Sequence, residues 1–438
     1  MKFDFSNENY GFDTLQIGAG YHPEEHHYAV STPIYQTAGF EFKNVQQALD
    51  LFGAREAGFL YTRTGNPTTA VLEERVRILD GGSGAIAVAS GMAAISYTLL
   101  NLTEGGGRVL TSPYLYGGSS DSFKKIYPNF GVQFDFAEHI EDPKELEKEI
   151  RPDTKAIYVE SISNPNAYLL DIDAIAEVAH KHGIPLVVDN TVATPYLYRP
   201  IEHGADLVVY SATKGLNGHG NLIGGVIVES GKFDYSNGRF PGFTEKYYTI
   251  RDIDNKHRSF PEAFPEFPFT ARLRFVYLDY LGASLSPFDS YLALVGLETL
   301  SERLARQSEN AQILAEYLEQ RPEVEWVRYP GLETSRYHQR AEKDFPKGKG
   351  GILAFGFKGT YQQEEKFLNS VKLLHFHLNI GDARTLIVNS PQTTHSELEP
   401  EEKIRADIPL NLIRISAGLE DPKDLKADLD QAFAKAFA

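Results

Sequence analysis

Ala205-Asp206-Leu207-Val208-Val209-Tyr210-Ser211-Ala212-Thr213-Lys214-Gly215 decides the fold. Leu207–Tyr210 is continuously apolar, the pattern of a strand buried on both faces, and it runs directly into two hydroxyl residues and a lysine. Similar runs lie on either side. Ala85–Ala89, Arg108–Thr111, Gln133–Phe136, Ala156–Glu160, Leu186–Asp189 and Ile223–Val228 are further strand candidates, separated by longer helical patterns. That alternation predicts an α/β domain with a mostly parallel sheet covered by helices. Asp142-Pro143-Lys144-Glu145 supplies an N-cap carboxylate, a proline at the first helical position and a following glutamate, which predicts a helix to about Ile150. A second helix over 172–182 should stop at Gly183, with Pro185 beyond it.

Outward from this region the chain changes character. Residues 233–288 are crowded with Phe, Tyr and Pro, and prolines 261, 265 and 268 forbid continuous regular structure. The rings of this ordered insertion could line a pocket, but the simpler expectation is that they pack at a subunit interface. After Pro287 the pattern is helical to about Gln320. Strand-like runs at Val324–Tyr329, Gly351–Phe357 and Thr385–Val388 then alternate with helices, implying a smaller α+β domain. A length of 438 residues fits two or three compact units at ~150 residues each. The expected boundaries are an N-terminal arm over 1–60, a large domain over 61–285 that includes the insertion 233–285, and a small domain over 286–438. The arm lacks a core-forming pattern and should drape over another domain or subunit.

Composition excludes several functions. A formal net charge of −17 repels phosphate backbones and anionic lipid, so neither nucleic acid nor membrane is an expected partner. With no cysteine there is no disulfide, thiolate metal site or cysteine nucleophile. Met1–Thr14 has neither the basic head nor the apolar stretch of a signal peptide, and a cytoplasmic location is expected. The most apolar window, Ala85–Leu100, is interrupted by polar residues and falls short of the ~20 residues a membrane helix needs.

Three pieces could carry chemistry. Lys214 follows a core strand, and the carboxyl ends of strands in an open α/β sheet are where ligands bind; a desolvated lysine there makes an imine nucleophile. Asp189 likewise ends an apolar strand, where it could cap a helix or face a ring nitrogen as an ion pair. Ala89-Ser90-Gly91-Met92 joins a strand to a helix, a junction whose free N–H groups can cradle an anion. Together these are what pyridoxal 5′-phosphate requires. Tyr116, past another strand end, could stack on its ring or be an ordinary loop tyrosine.

Tyr61-Thr62-Arg63 with Asn66-Pro67-Thr68, Ser90-Gly91-Met92, Tyr116-Gly117-Gly118, Asn164-Pro165, Asp189-Asn190-Thr191, Ser211-Ala212-Thr213-Lys214 and Arg414-Ile415-Ser416-Ala417-Gly418-Leu419-Glu420-Asp421 resemble the Cys/Met-metabolism pyridoxal-phosphate enzymes over nearly the whole chain. The aromatic insertion, Ser286-Pro287-Phe288, Gly296-Leu297-Glu298-Thr299-Leu300 and Asn379-Ile380-Gly381-Asp382 look like O-acetylhomoserine sulfhydrylases within that family. The resemblance implies a fold type I, aspartate aminotransferase-like architecture. It implies that Lys214 carries the cofactor, Asp189 pairs with the pyridine nitrogen, and Tyr116 stacks on the ring. Ser90, Gly91, Met92, Ser211 and Thr213 would hold the phosphate, with Tyr61 and Arg63 reaching it from a neighbouring subunit. The unit is then at least a homodimer, and a homotetramer is expected. Arg414 would clamp the substrate α-carboxylate, with Asn379 at the substrate and Asn164 at the cofactor or the substrate. The implied reaction is γ-replacement on O-acetyl-L-homoserine by sulfide or a small thiol, giving L-homocysteine and acetate.

Two rivals stand beside it: γ-elimination or replacement of the cystathionine γ-synthase or methionine γ-lyase type, and a non-catalytic binding protein on the same scaffold. Some positions depart from the family pattern. Asn389-Ser390-Pro391-Gln392 replaces His-Pro-Ala-Ser in a loop expected near the substrate, and Val192 and Gly215 stand where bulkier residues are usual. His26-His27 and His375-Phe376-His377 lack a third ligand at sensible spacing, so no metal is assigned.

Overall fold

Two sheets organise residues 9–438, which the computed structural model describes; the first eight residues of the arm lie outside the described residues. Seven strands form the larger sheet: β1 (Gly84–Val88), β2 (Arg108–Thr111), β3 (Gln133–Phe136), β4 (Thr154–Glu160), β5 (Leu186–Asp189), β6 (Leu207–Ser211) and β7 (Gly225–Glu229). Their order is β1-β7-β6-β5-β4-β2-β3, and only β7 runs against the rest. Sequence and structure agree on each of these strands to within two residues.

The continuous apolar runs have a geometric cause. Successive side chains point to opposite faces, and here both faces are covered. Ile86, Tyr158, Val187 and Val209 pack with Leu99 and Leu102 of the helix Gly91–Thr103, whereas Ala87, Ile157, Val188 and Val208 pack with Leu72 and Leu79 of the helix Pro67–Asp80. The Pro143–Glu149 helix begins as expected, with Asp142 accepting from the Lys144 N–H at 2.9 Å.

Part of the aromatic insertion departs from expectation, although Tyr248 and Tyr280 are exposed. Phe240, Phe243 and Phe269 are buried within this chain, closing the core around the Gly91–Thr103 helix, and Phe260 sits in a satellite cluster with Ile250. The sheet face left open between the helices needs an apolar cover, and these rings supply it. The arm also divides its contacts. Leu15, Ala19 and Tyr21 join the main core, and Gln16 exchanges hydrogen bonds with Ser301 at 2.9 and 3.0 Å, while Val30 and Val45 are exposed.

The smaller sheet holds β8 (Val324–Arg328), β9 (Ile352–Phe357), β10 (His375–Phe376), β11 (Leu386–Asn389) and β12 (Leu412–Ser416) in the order β10-β11-β12-β9-β8. All neighbours are antiparallel except β10 and β11. Helices Tyr361–Leu368 and Pro422–Ala436 cover one face, where Ile413 and Ile415 meet Phe367 and Phe433. β12 is not among the strands expected from pattern, because an arginine interrupts its apolar run. Period-2 alternation turns Arg414 and Ser416 away from that helical layer and towards the larger sheet. No helix among the described residues is long and apolar enough to cross a membrane.

Candidate active site

Because β1, β2, β4, β5 and β6 run in one direction, their carboxyl ends share one edge of the sheet. A cavity of ≈ 240 Å³ opens there. Ser90, Gly91, Met92, Tyr116, Asn164, Asp189, Ser211, Thr213 and Lys214 all line it. Nine of the thirteen residues singled out in the sequence are thus brought together at one place.

The anion cradle is built by close packing. Ser90 caps the Gly91–Thr103 helix, its Oγ accepting from the Ala93 N–H at 3.0 Å. The first backbone bond of the helix comes from Ala94, so the N–H groups of Gly91 and Met92 stand at its positive end. Gly91 must lack a side chain: a Cβ would lie 2.6 Å from that of Ser211. The same wall carries the Ser211 hydroxyl and Thr213, whose Oγ1 accepts the Gly224 N–H at 3.0 Å.

Lys214 follows β6 by three residues and is largely enclosed. Burial, with the Arg414 charge nearby, lowers its ammonium to about 8. Its Nζ donates to the Asn379 side chain, so Asn379 is engaged with the lysine. Asp189 accepts from the Thr191 N–H at 2.9 Å and from the Tyr158 hydroxyl at 3.1 Å. Burial raises its carboxyl above the usual range against those hydrogen bonds. A cation facing it would reverse that shift.

Tyr116 stands at the start of the helix Gly117–Lys125, its ring half exposed to the cavity. Burial raises its phenol, with the charge of Glu397 adding to it, so the hydroxyl keeps its proton at neutral pH. The two glycines after it have separate reasons. A Cβ at Gly118 would stand 2.6 Å from the Tyr116 ring, and one at Gly117 would stand 2.2 Å from the Thr394 carbonyl.

Arg414 comes from β12 of the smaller sheet and is 1% exposed. It sits behind Asn164 and Leu378: Nη1 donates to Asn164 Oδ1 at 3.1 Å, and Nη2 donates to the carbonyls of Leu378 and Asn379, both at 2.9 Å. Its Nε is buried with no partner among the described residues. No carboxylate among the described residues answers the charge, and burial lowers it to about 10. A buried guanidinium with an orphaned donor suits an incoming carboxylate.

Tyr61 and Arg63 do not line this cavity. Tyr61 is exposed, and Arg63 lies over its ring at 5.2 Å and pairs with Asp279 at 3.2 Å. The Asn389–Gln392 loop also departs from expectation, since none of its four residues lines the cavity. Asn389 instead bonds to Glu364, and the residues just after the turn pack beside Tyr116, with the Thr394 carbonyl against Gly117 and His395 Nε2 3.4 Å from the Leu115 carbonyl. Val192 does line the cavity, and Gly215 lines a second, narrow one behind Lys214.

Glu160 and the apolar residues Ile95, Ile162, Ile223, Leu378 and Ile380, which form a wall with Val192, are additions from the structure. Glu160 had a signal in the sequence: it ends a strand next to the one that Asp189 ends, and the two face each other in register.

These residues fit pyridoxal 5′-phosphate, with an amine for the aldehyde, a carboxylate for the ring nitrogen and a helix start for the phosphate. The comparisons agree. The family profile described as Cys/Met metabolism PLP-dependent enzyme matches residues 13–434. A homocysteine synthase of Schizosaccharomyces pombe is 42% identical over 428 residues, covering 97% of this chain and 98% of its own. An O-acetyl-L-homoserine sulfhydrylase of Thermus thermophilus is 40% identical, covering 97% and 100%. A crystal structure of an O-acetylhomoserine (thiol)-lyase from Campylobacter jejuni, which contains a pyridoxyl-lysine monophosphate, superposes with a TM-score of 0.91 at 37% identity, covering 97% and 100%.

Proposed function

The chain belongs to the Cys/Met metabolism PLP-dependent enzyme family, and from that premise we propose that it replaces the acetoxy group of O-acetyl-L-homoserine with sulfide or a small thiol. The Cγ–O bond breaks, acetate leaves with the electron pair, a Cγ–S bond forms, and L-homocysteine is the product with sulfide. The supporting observation is the meeting at one cavity of Lys214, Asp189, the Gly91 helix start and Asn164, with Arg414 directly behind Asn164 and donating to it.

Pyridoxal 5′-phosphate, when bound, supplies the electron sink that makes the substrate's α- and β-protons acidic. The chain's residues do the rest. Gly91, Met92, Ser90, Ser211 and Thr213 bind the phosphate, and Asp189 holds the proton of the ring nitrogen. Arg414 takes the α-carboxylate with its unpaired Nε, and Asn164 keeps the guanidinium aimed. Lys214 Nζ forms the covalent link to the cofactor. Freed by the substrate's amino group, it is a base that takes the Cα proton and returns one at the end, which its lowered pKa favours. Lys214 also takes the Cβ proton, with the protonated Tyr116 hydroxyl assisting by hydrogen bonding, and the Tyr116 ring covers the cofactor. Asn379 holds Lys214 between transfers and lies beside the substrate. The apolar wall excludes water from the reacting carbons.

Tyr61 and Arg63 are assigned to the phosphate of a neighbouring subunit, since they point out of their own site. The active unit is therefore a homodimer, with dimers paired into a tetramer in the cytoplasm. Borohydride reduction of freshly loaded protein, followed by peptide mapping, should place the pyridoxyl label on Lys214; a label elsewhere, or none, overturns the assignment. Acetyl- and succinyl-homoserine, each offered sulfide, methanethiol or cysteine, then test the substrate. Homocysteine and acetate are expected from the acetyl ester with sulfide, whereas 2-oxobutanoate formed equally with and without sulfide would make the enzyme an eliminase.

A further inference from the structure

Glu160 ends β4 at the wall of the cavity and uses both oxygens of one carboxylate. Oε1 accepts the Tyr116 N–H at 2.6 Å, and Oε2 accepts the Asn164 N–H at 3.1 Å. The two donors stand on separate loops, 44 residues away and 4 residues away along the chain. Asn164 passes the constraint on, because its side chain accepts from Arg414. One carboxylate therefore fixes the distance between the ring-covering residue and the carboxylate clamp.

The arrangement carries an electrostatic penalty. Glu160 is buried directly opposite Asp189 in the sheet register; burial first, and the Asp189 charge after it, push its carboxyl well above the usual range, against the pull of the two N–H donors. A neutral glutamine would avoid the repulsion, yet it has one acceptor and two donors and cannot accept an N–H at both ends. The carboxylate is retained at a place where charge is costly, and its two-ended acceptance is what a neutral isostere lacks.

We propose that Glu160 is a positioning residue, setting Tyr116 and the Asn164–Arg414 pair at one spacing for an amino-acid substrate. The proposal rests on the functional reading above. Its test is Glu160→Gln, with Glu160→Ala as the harsher partner, in the cofactor-loaded protein. Binding of the unreactive amino acid L-norleucine is read from the visible spectrum. Visible circular dichroism reads the ring environment, and kcat and KM are normalised to bound pyridoxyl groups. Norleucine affinity should fall roughly tenfold in Glu160→Gln, with kcat also lower and the dichroic band altered, while the label stays on Lys214. Affinity and kcat within twofold of wild type at full cofactor occupancy would overturn the proposal, whatever happens to thermal stability. Wild-type protein that binds norleucine but leaves O-acetylhomoserine untouched would refute the substrate reading, and the norleucine and dichroism arms would still decide the role of Glu160.

Discussion

The two sheets deliver functional groups in opposite ways. In the seven-stranded sheet both faces are packed, so a charged side chain finds room only where a strand stops, and Glu160, Asp189 and Lys214 all stand at or beyond strand ends. In the five-stranded sheet helices cover one face, and Arg414 stands in the middle of β12 on the other. The large sheet offers an edge and the small sheet a face, and the site forms where they meet. The division also separates the consequences of substitution, because residues at an edge support little packing whereas residues beneath the helical face support the fold.

The largest effect should come from the edge. Lys214→Ala removes nucleophile and base together, so turnover should fall by several orders of magnitude, at ~1.4 kcal/mol of barrier per tenfold. Its absorbance in the visible should be lost with cofactor present; retention of both turnover and the band would break the comparison. Beneath the small sheet, Phe433→Ala empties a fully buried ring site between Phe357 and Phe367. Denaturant titration should show a loss of about 3–5 kcal/mol, with kcat per folded molecule nearly unchanged. Arg414→Ala should do the reverse. Removal relieves a buried charge that lacks a carboxylate partner among the described residues but leaves the acceptors of Asn164, Leu378 and Asn379 without their donor. The apoprotein should therefore lose about 1–3 kcal/mol, while kcat/KM for the amino acid falls on the order of a hundredfold, about 2.7 kcal/mol. A variant that unfolds instead would show that the face is structural.

The smallest effect concerns pH. The native ammonium of Lys214 titrates near 8 and the unfolded one near 10.5, so the unfolded chain binds more protons between these values. Stability of the apoprotein should therefore rise with pH across that window. Lys214→Met, which carries no charge to bury, should be the more stable protein at pH 7 by on the order of 3 kcal/mol. That advantage should fade as pH climbs from 8 to about 10.5, and a constant difference across the range would assign it to packing instead.

The edge was legible in the sequence for the reason that makes it work. Two-sided burial writes each strand as an unbroken apolar run, so Asp189 and Ser211 stand out where a run ends. The face was not legible in that way. Arg414 breaks the run of β12, and only the resemblance singled it out. Glu160 has the edge signature, but its role depends on backbone N–H groups of two loops, and no residue pattern encodes where those will point. Four rings of the insertion, Phe240, Phe243, Phe260 and Phe269, were misplaced for a similar reason: composition shows that they will be buried, not which surface buries them. The Asn389–Gln392 turn differs from the family pattern in letters, yet its side chains spend that difference on Glu364 and the turn itself.

One short strap ties the sheets together. Between β10 and β11, the carbonyls of Leu378 and Asn379 grip Arg414 while the Asn379 amide side chain grips Lys214. Carbonyl oxygens are common to all residues, so most of this strap could be re-lettered without loosening the arginine. Its length is another matter: one residue inserted or deleted between His377 and Gly381 would shift both anchor points together, leaving the segment tolerant of spelling and intolerant of measure.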